Sequence, residues 1–589
     1  MKRQRLPFRL SPSKLRAFMP NVLSHPTRAA WPALLAVLLP LSACVALLQP
    51  DRTARAPVLE GFGTLAWPIT TPVPEAQALF TRGMLQSYAF NENEAARTFK
   101  AALAKDLNCA MCAWGVAYAL GPNINSGPRG DVSEARRYAG YAKSHLAGAT
   151  PREVALVEAL VLRYADAGRI AAMDAPLLAA TCGKPGVEPA NPLDVAYARK
   201  MRELSDAYPT DPDITSFFAE AVIIATPDVL WDRKTGAPSP DVLLMVQRLE
   251  AALARTPEHT GLNHYLVHAM DSSPTPEVAA VAADRLGRLA PESPHLVHMP
   301  SHVYVRLGRY GDARRVNEEA LAAELRQTAL TKAQGFETVH NWDRHNTHFL
   351  WFAALMDGRG EQALAQARQL SSLSAKGKSA YSELMRSMPL LTLVRLGRFD
   401  EALKEPPVAG DTGMASGVRE YARGVALART AQPAAARDAA AALKRTVDAP
   451  LSTGQKRDEF QATALAVLSA QLQGEIEAAS GDVVAMRATL QRAAELEDAL
   501  EANEPPILGA ASRIVLGDAL LRAGRGADAE AAFKADLQAQ PGNGWALRGL
   551  LNAVERQGRM TEAADLRSQY ERAWVRADAA LRTRAAPGG

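Results

Sequence analysis

Histidine is the residue type in this sequence whose spacing most directly suggests chemistry. Nine of the 11 histidines lie between residues 259 and 348 of the 589-residue chain. His264 and His268 are four residues apart, and His298 and His302 repeat that spacing 34 residues later. Residues four apart share one face of an α-helix. The spacing therefore predicts two helices with paired imidazoles on corresponding faces.

Two such helices, packed about 8 to 10 Å apart, would bring several imidazoles within reach of one or two shared metal ions. Neutral imidazoles with one carboxylate suit Zn, Fe or Cu, whereas Mg and Ca prefer oxygen ligands. The predicted metal ligands are His264, His268, Asp271, His298, His302 and His348. Two other interpretations stay open: a hydrogen-bonding network that fixes the local curvature, and a groove that captures acidic peptides.

An internal repeat indicates the helices that must position these histidines. The pattern G-R-x-x-x-A occurs five times, starting at Gly308, Gly358, Gly397, Gly524 and Gly558. The fourth copy lies in a 34-residue frame whose positions 8, 20, 24 and 32 are Gly517, Ala529, Phe533 and Pro541. Small residues let two helices approach closely, the aromatic ring fills the space between units, and proline ends the second helix. No segment shows the alternating pattern of a β-strand.

This frame resembles the tetratricopeptide repeat. The resemblance implies an all-α, right-handed superhelical solenoid of helix-turn-helix units, in which positions 2, 5, 9 and 12 of each first helix face a concave groove. It places units at about 76–109, 260–293, 294–327, 344–377, 383–416, 510–543 and 544–577. The motifs C-A-M-C, G-P-N-I-N and H-M-P-S-H, starting at residues 109, 121 and 298, further resemble a group of bacterial tetratricopeptide lipoproteins, from which Cys112 departs.

A sixteen-residue insertion separates two of these units near residues 337–349, which read ETVHNWDRHNTHF. Insertions between repeats often carry function or cap a groove. We expect the insertion to form a lid over the histidines, and we place two further histidines on the groove face at position 2 of their units. The lid and groove residues are His340, Trp342, Asp343, His295 and His345. A plain surface loop is the alternative for the insertion.

Residues 1–43 predict a secretion signal, since seven basic residues and no acidic one precede an apolar run. The run ends in Leu41-Ser42-Ala43-Cys44, which resembles the bacterial lipobox. The resemblance implies that Cys44 is lipidated and that the protein is an exported membrane lipoprotein, facing the periplasm or the cell surface. An uncleaved membrane helix reaching Leu48 is the alternative. Loss of the seven basic residues changes the formal charge from +4 to −3, so we expect no nucleic-acid partner.

Three cysteines follow Cys44. Cys109 and Cys112 either form a local disulfide or pack as small residues, and Cys182 is left over. Alanine follows Cys112, which excludes a haem c attachment motif. The sequence also lacks H-E-x-x-H, G-x-S-x-G and a complete phosphate loop, so no familiar enzyme signature applies.

The predicted layout is a signal (1–43), a flexible linker (44–74), a solenoid (75–416) with histidine-rich units (260–377), further helical units (417–577) and a disordered tail (578–589). The predicted function is a membrane-anchored module that binds a protein or peptide in its concave groove and a metal in its histidine pocket. The alternative is a metal-dependent hydrolase or oxidoreductase. An open groove around His298 would favour the binding module, and an enclosed cavity would favour the enzyme.

Overall fold

The structure is a computed structural model that describes residues 48–125, 132–165, 190–226, 230–232, 235–338, 342–410, 412–449, 457–500 and 505–583. Within these ranges the chain is helical, and the one β-bridge joins Trp231 to Pro238. No helix in the described ranges has the length and apolar character needed to cross a membrane. The all-α prediction is confirmed. The predicted signal, Cys44, Cys182 and His340 lie outside the described residues.

The amino-terminal half is a series of antiparallel helices that pack mainly on their sequence neighbours. Its helices are α1 (Pro74–Tyr88), α2 (Glu92–Lys105), α3 (Ala110–Ala119), α4 (Ser133–Ser144), α5 (Pro151–Arg163), α6 (Pro192–Ala207), α7 (Pro212–Ala225) and α8 (Val242–Arg255). Four of them have proline in the first turn, where its missing N–H costs no hydrogen bond. Cys109 and Cys112 form a disulfide at the start of α3.

The central units carry the histidines. Their helices are α9 (Thr260–Met270), α10 (Ala280–Leu289), α11 (Pro294–His298), α12 (Pro300–Arg306), α13 (Tyr310–Ala333), α14 (Asp343–Met356), α15 (Gly360–Leu373), α16 (Ala380–Arg395) and α17 (Phe399–Ala402). A short 3₁₀ turn, Pro276–Ala279, precedes α10. The predicted unit at 383–416 is incomplete, because its second helix, α17, has only four residues.

The carboxy-terminal half repeats the hairpin arrangement. Its helices are α18 (Met414–Arg429), α19 (Pro433–Asp448), α20 (Glu459–Ala479), α21 (Val483–Asp498), α22 (Ser512–Arg522), α23 (Gly526–Ala539), α24 (Gly544–Arg556), α25 (Met560–Ala573) and α26 (Ala579–Thr583). Phe533 shows why the 34-residue frame works. Its fully buried ring leaves no room for a Cβ at Gly517 on α22 or at Gly549 on α24, so both helices approach it closely.

The segment before α1 is not a flexible linker over its whole length. Between residues 57 and 69 buried and exposed positions nearly alternate, and Leu59, Phe62 and Trp67 are all buried in the core. Trp67 contacts Phe80 with ring centroids 5.1 Å apart. Gly61 O accepts a hydrogen bond from the backbone N–H of a residue more than 200 positions later, Glu292. The linker prediction is wrong there because these apolar side chains find partners on the repeats.

The last units pack back against the middle of the chain. The indole N–H groups of Trp545 and Trp574 donate to the carbonyl oxygens of Leu355 and Met356 at 2.9 and 3.0 Å. Residues 578–583, expected in a disordered tail, continue this contact, since Leu581 is buried. The tail prediction is therefore wrong for these residues. Contacts between repeats about 200 residues apart in sequence therefore hold the last units against the central ones.

Candidate metal centre

Six of the central histidines form two groups of three. Within each group, one nitrogen from each imidazole lies within 4.8 Å of the others. The groups, named triad A and triad B, consist respectively of His264, His268 and His295, and of His298, His302 and His345. They adjoin each other, because the ring centroids of His295 and His298 are 6.4 Å apart. The structure thus brings the predicted paired histidines together and adds one histidine to each pair.

A proline break shapes the segment that joins the triads. Pro300 lacks the N–H that a continuous helix would need, and α11 ends at His298 just before it. The short helix α11 presents His295 to triad A and His298 to triad B. His302 follows on α12, one turn after His298. The H-M-P-S-H motif therefore lies at the junction of the two triads.

Hydrogen bonds outside triad B determine which ring nitrogens carry protons. The side-chain N–H of Asn317 donates to Ala313 O at 2.7 Å, which leaves its carbonyl oxygen 2.7 Å from His298 Nδ1. A carboxylate oxygen of Asp271 lies 3.0 Å from His302 Nδ1. Both Nδ1 atoms must therefore donate, and in the neutral rings both Nε2 atoms keep a lone pair.

Those two lone pairs point at each other. His298 Nε2 and His302 Nε2 are 3.0 Å apart, with no proton available to either neutral ring on that side. Two acceptors at this distance repel unless a cation lies between them. Two imidazoles bound to one Zn²⁺ at 2.0 to 2.1 Å with tetrahedral angles have nitrogens about 3.3 Å apart. Triad B therefore has the spacing and the tautomers of a metal site.

Triad A has a similar anchor and similar unsatisfied atoms. His264 Nδ1 donates to Tyr88 O at 2.7 Å, so its Nε2 keeps the lone pair and lies 3.0 Å from His295 Nε2. One hydrogen bond between those rings would leave His295 Nδ1 buried without a partner. His268 Nε2 is also buried without a partner in the described structure. A metal ion would satisfy nitrogens that the protein leaves unpaired.

Aromatic rings enclose the triads. Phe90, in the turn between α1 and α2, has its ring centroid 4.5 Å from that of His264 and 5.0 Å from that of His295. Its backbone has a φ of 51°, in the left-handed region that non-glycine residues rarely adopt. Phe349 lies 4.4 Å from His302 by the same measure. An apolar shell of this kind restricts water and supports metal–ligand bonds.

Burial keeps these imidazoles neutral. It is the largest cause of a pKa far below the usual value at His264, His295 and His298, and the neighbouring imidazoles lower the pKa further. The pKa falls to about 4 at His268 and to about 3 at His345 for the same reason. Neutral imidazole is the form that binds metal ions.

The sequence led us to expect the histidines on an open groove, but in the structure they are buried. His264 and His298 are 0% exposed and His302 is 8% exposed. A cavity of about 330 Å³ reaches His302 and Phe349 from outside. Its far wall includes Pro506 and Gln540, which the folded-back carboxy-terminal units contribute. His298 is buried and does not line this cavity, so the structure shows neither an open groove nor an enclosed cavity around it.

Two of the predicted metal ligands, His348 and Asp271, belong to neither triad. His348 belongs to neither triad; its ring stacks on Trp351 with centroids 5.6 Å apart. On α14 it lies three residues after His345, about 60° around the helix axis, and of the two only His345 brings a ring nitrogen within reach of the other triad B ligands. Asp271 contacts His302 Nδ1 and so orients a ligand in this arrangement. His345, expected only on the groove face, replaces His348 in triad B.

One residue of the predicted lid contacts a triad. Trp342 stacks on His295 with ring centroids 4.4 Å apart, so the end of the insertion covers triad A. Asp343 begins α14, and its carboxylate accepts a hydrogen bond from the backbone N–H of Arg344 at 2.5 Å. His340 lies outside the described residues. The contact of Trp342 is consistent with a lid, which stays a prediction.

Sequence reasoning missed the residues that orient and enclose the ligands. Tyr88 and Phe90 lie more than 170 positions before His264, and Asn317 lies on the second helix of its unit. No spacing in the sequence relates them to the histidines. His295 and His345 could have been found as ligands, because both occupy position 2 of their units.

No protein-family model and no curated protein matches this chain. Solved helical-repeat structures do match, at low similarity. They include a human IFIT1 dimer with m7Gppp-AAAA (10% identity, 86% of this chain, 91% of that chain, TM-score 0.27). The TPR domain of P58(IPK) matches at 11% identity over 83% and 99% of the two chains, with a TM-score of 0.22. The APC/C hetero-tetramer Cut9-Hcn1 matches at 11% identity over 86% and 94%, also with a TM-score of 0.22. Similarity this low carries no argument about ligands or partners.

Proposed function

We propose that this protein is a metalloprotein in which triads A and B each bind one transition-metal ion. The observation that carries the proposal is the pair of facing Nε2 lone pairs of His298 and His302, 3.0 Å apart. Hydrogen bonds to Asn317 and Asp271 fix both tautomers, as partners of metal-bound histidines commonly do. A hydrogen-bonding network alone does not explain this contact, since it would need a proton on one of the two Nε2 atoms.

The donor set favours Zn, Fe or Cu. All six atoms offered are imidazole nitrogens, which suit these ions and not Mg or Ca. A three-histidine site leaves one coordination position open, as in catalytic zinc sites. One carboxylate, Asp271, lies against triad B and partly offsets the charge of an ion there.

Metal content tests the proposal. The full chain, purified without a histidine tag, is analysed by elemental mass spectrometry beside a His264→Ala, His298→Ala double variant. We expect close to two ions per chain in the parent and fewer than half an ion in the variant. His145→Ala is the control, because His145 ends α4 and stacks on Tyr141 away from both triads. A metal-free parent after reconstitution with Zn, Fe and Cu would contradict the proposal.

A metal-dependent enzyme is the second candidate, and the cavity beside His302 favours it. This cavity of about 330 Å³, which is open to the outside, is large enough to admit a small substrate to triad B at His302. Titration of the Co²⁺-substituted protein with azide tests for an open coordination position. A change in the visible absorption spectrum would support a catalytic site. An unchanged spectrum would leave binding and assembly as the function.

We also propose that the protein is exported and anchored through Cys44. The Cys109–Cys112 disulfide supports export, since disulfides persist in oxidising compartments. Leu48 packs on the folded core only four residues after Cys44, so a lipid there would hold the body within about 14 Å of the membrane surface. Cys44→Ser should release the protein from isolated membranes. Unchanged membrane association would contradict the lipid anchor.

A protein or peptide partner is part of the same proposal. Because the histidines are buried, such a partner would contact other parts of the concave surface. We keep the prediction of no nucleic-acid partner only because the predicted mature chain has a formal charge of −3.

A further inference from the structure

A second, smaller cavity lies among the carboxy-terminal repeats, away from the histidines. Its volume is about 100 Å³, and side chains from α16, α18, α20, α22 and α24 line it. The walls are largely apolar, with Leu391, Val425, Ile514 and Trp545 among them. Three cationic side chains, Arg395, Arg429 and Arg548, and two acidic ones, Glu475 and Asp518, also line the cavity. The site therefore combines apolar walls with charged groups, among which the cations outnumber the carboxylates by one.

Arg395 has no protein acceptor. All three nitrogens of its guanidinium are buried, and none makes a hydrogen bond in the described structure. Its guanidinium carbon lies 5.0 Å from the ring centroid of Trp545, and the carboxyl groups of Asp518 and Asp536 interact with it electrostatically without a hydrogen bond. Buried guanidinium groups are normally paired, because an unpaired ion in the interior loses its hydration without compensation. The five donors of this group are left for something other than the protein.

Several neighbouring polar groups are paired with one another, and burial raises the pKa of the Asp518 carboxyl group, which also lines the cavity. Glu475 accepts from Arg522 at 2.7 Å and lies 3.5 Å from Arg429. The hydroxyl of Tyr421 donates to Gln471 at 2.7 Å. These groups lie around Arg395 but accept no hydrogen bond from its guanidinium group.

We propose that this cavity binds a carboxylate that carries a small apolar substituent. The carboxylate would accept two parallel hydrogen bonds from Arg395, the geometry in which guanidinium groups recognise planar anions. The substituent would lie against Leu391, Val425 and Ile514. An apolar cavity of 150 Å³ can hold benzene, so about 100 Å³ restricts the ligand to a few carbon atoms beyond the carboxylate or to one small ring.

Benzoate is the first probe, with benzamide as its neutral isostere. Calorimetry on the full chain should show benzoate bound at least about tenfold more tightly than benzamide, because a charge-assisted pair is lost with the amide. Arg395→Met keeps the side-chain length and should abolish the preference for benzoate. Arg398→Met is the matched control: Arg398 lies one turn away, pairs with Glu361 and Glu401, and should leave binding unchanged.

The carboxylate could belong to a free acid or to a peptide terminus. A peptide ending in phenylalanine with a free carboxyl group, compared with its amide, distinguishes the two sources. Tighter binding of either carboxylate to the parent than to Arg395→Met supports the site. Equal affinity of benzoate for the parent and for a folded Arg395→Met variant would overturn the proposal, as would no binding of either carboxylate. The metal content of Arg395→Met should match the parent, which separates this site from the triads.

Discussion

His298 Nε2 lies 3.0 Å from His302 Nε2, while the Nδ1 atoms of the same two rings are held by Asn317 and Asp271. The partners of Nδ1 come from α13 and from the end of α9, so two separate repeats orient the rings. Each ring is thereby turned with its lone pair towards the other. The contact is unfavourable without a cation and favourable with one.

The partners of the Nδ1 atoms should control metal affinity. Asn317→Leu removes the acceptor for His298 Nδ1 and should weaken metal binding about 10- to 100-fold, the effect typical of losing such an outer partner. Competition with a chelating dye measures the affinity. Glu319→Gln, at an exposed position on the same helix, is the control. Equal affinities for Asn317→Leu and the parent would show that Asn317 does not orient a ligand.

The two triads should lose their ions independently. We expect His264→Ala to reduce the metal content by one ion and His298→Ala to reduce it by the other, since each removes one ligand of one triad. His348→Ala should keep both ions, because His348 stacks on Trp351 outside the triads. Elemental analysis of the three variants gives the stoichiometry. A full loss of metal in His348→Ala would return that residue to the ligand set.

The indole of Trp342 should slow metal exchange at triad A. It stacks on His295 at 4.4 Å, so Trp342→Ala would open the site to solvent. Release of metal to excess chelator, followed by stopped flow, should be severalfold faster in the variant. Phe336→Ala removes an aromatic ring from the loop before the insertion, where it contacts Arg97 and not a histidine. Parent-like release in Trp342→Ala would show that the insertion is not a lid.

The contact between the last and the central repeats should contribute strongly to stability. Trp574 is 1% exposed and donates to Met356 O, so Trp574→Ala should lower the free energy of unfolding by roughly 3 to 5 kcal/mol. Urea denaturation measures the change. Val575→Ala is the control, because Val575 is 59% exposed and should change stability by less than about 0.5 kcal/mol. Similar midpoints for the two variants would show that this closure contributes little.

Asp536 should make stability decrease as the pH rises. Burial raises the pKa of its carboxyl group from 3.8 to about 7, so the folded state binds a proton that the unfolded state has released. The contribution of the Asp536 carboxyl group to stability is therefore fully present below the pKa that this group has in the unfolded chain. It falls by up to roughly 1.4 kcal/mol per pH unit between about pH 4 and 7.

Asp536→Asn keeps an oxygen acceptor for Asn543 and removes the titration. Thermal melts of both proteins at pH 5 and pH 8 should show a smaller loss of stability for the variant. Parallel losses would indicate that Asp536 is ionised in the folded protein.

The repeat fold could be predicted from sequence because its determinants are local. Glycine at 517, phenylalanine at 533 and their 34-residue frame specify how one helix packs on the next, and the structure has those contacts. The same local periodicity placed His264 with His268 and His298 with His302. It did not separate His348 from His345, which lies three residues earlier on α14 and is the one that belongs to triad B.

Only the tertiary structure decided the contacts between residues that are far apart in sequence. His264 meets the Tyr88 carbonyl across 176 positions, and Trp574 meets Met356 across 218. Helical periodicity determines which face of a repeat a residue occupies, but not which distant repeat will cover that face. The superhelical path sums small angles over many units, and the sequence pattern does not specify that sum. The burial of the histidines and the surroundings of Arg395 both follow from such long-range contacts.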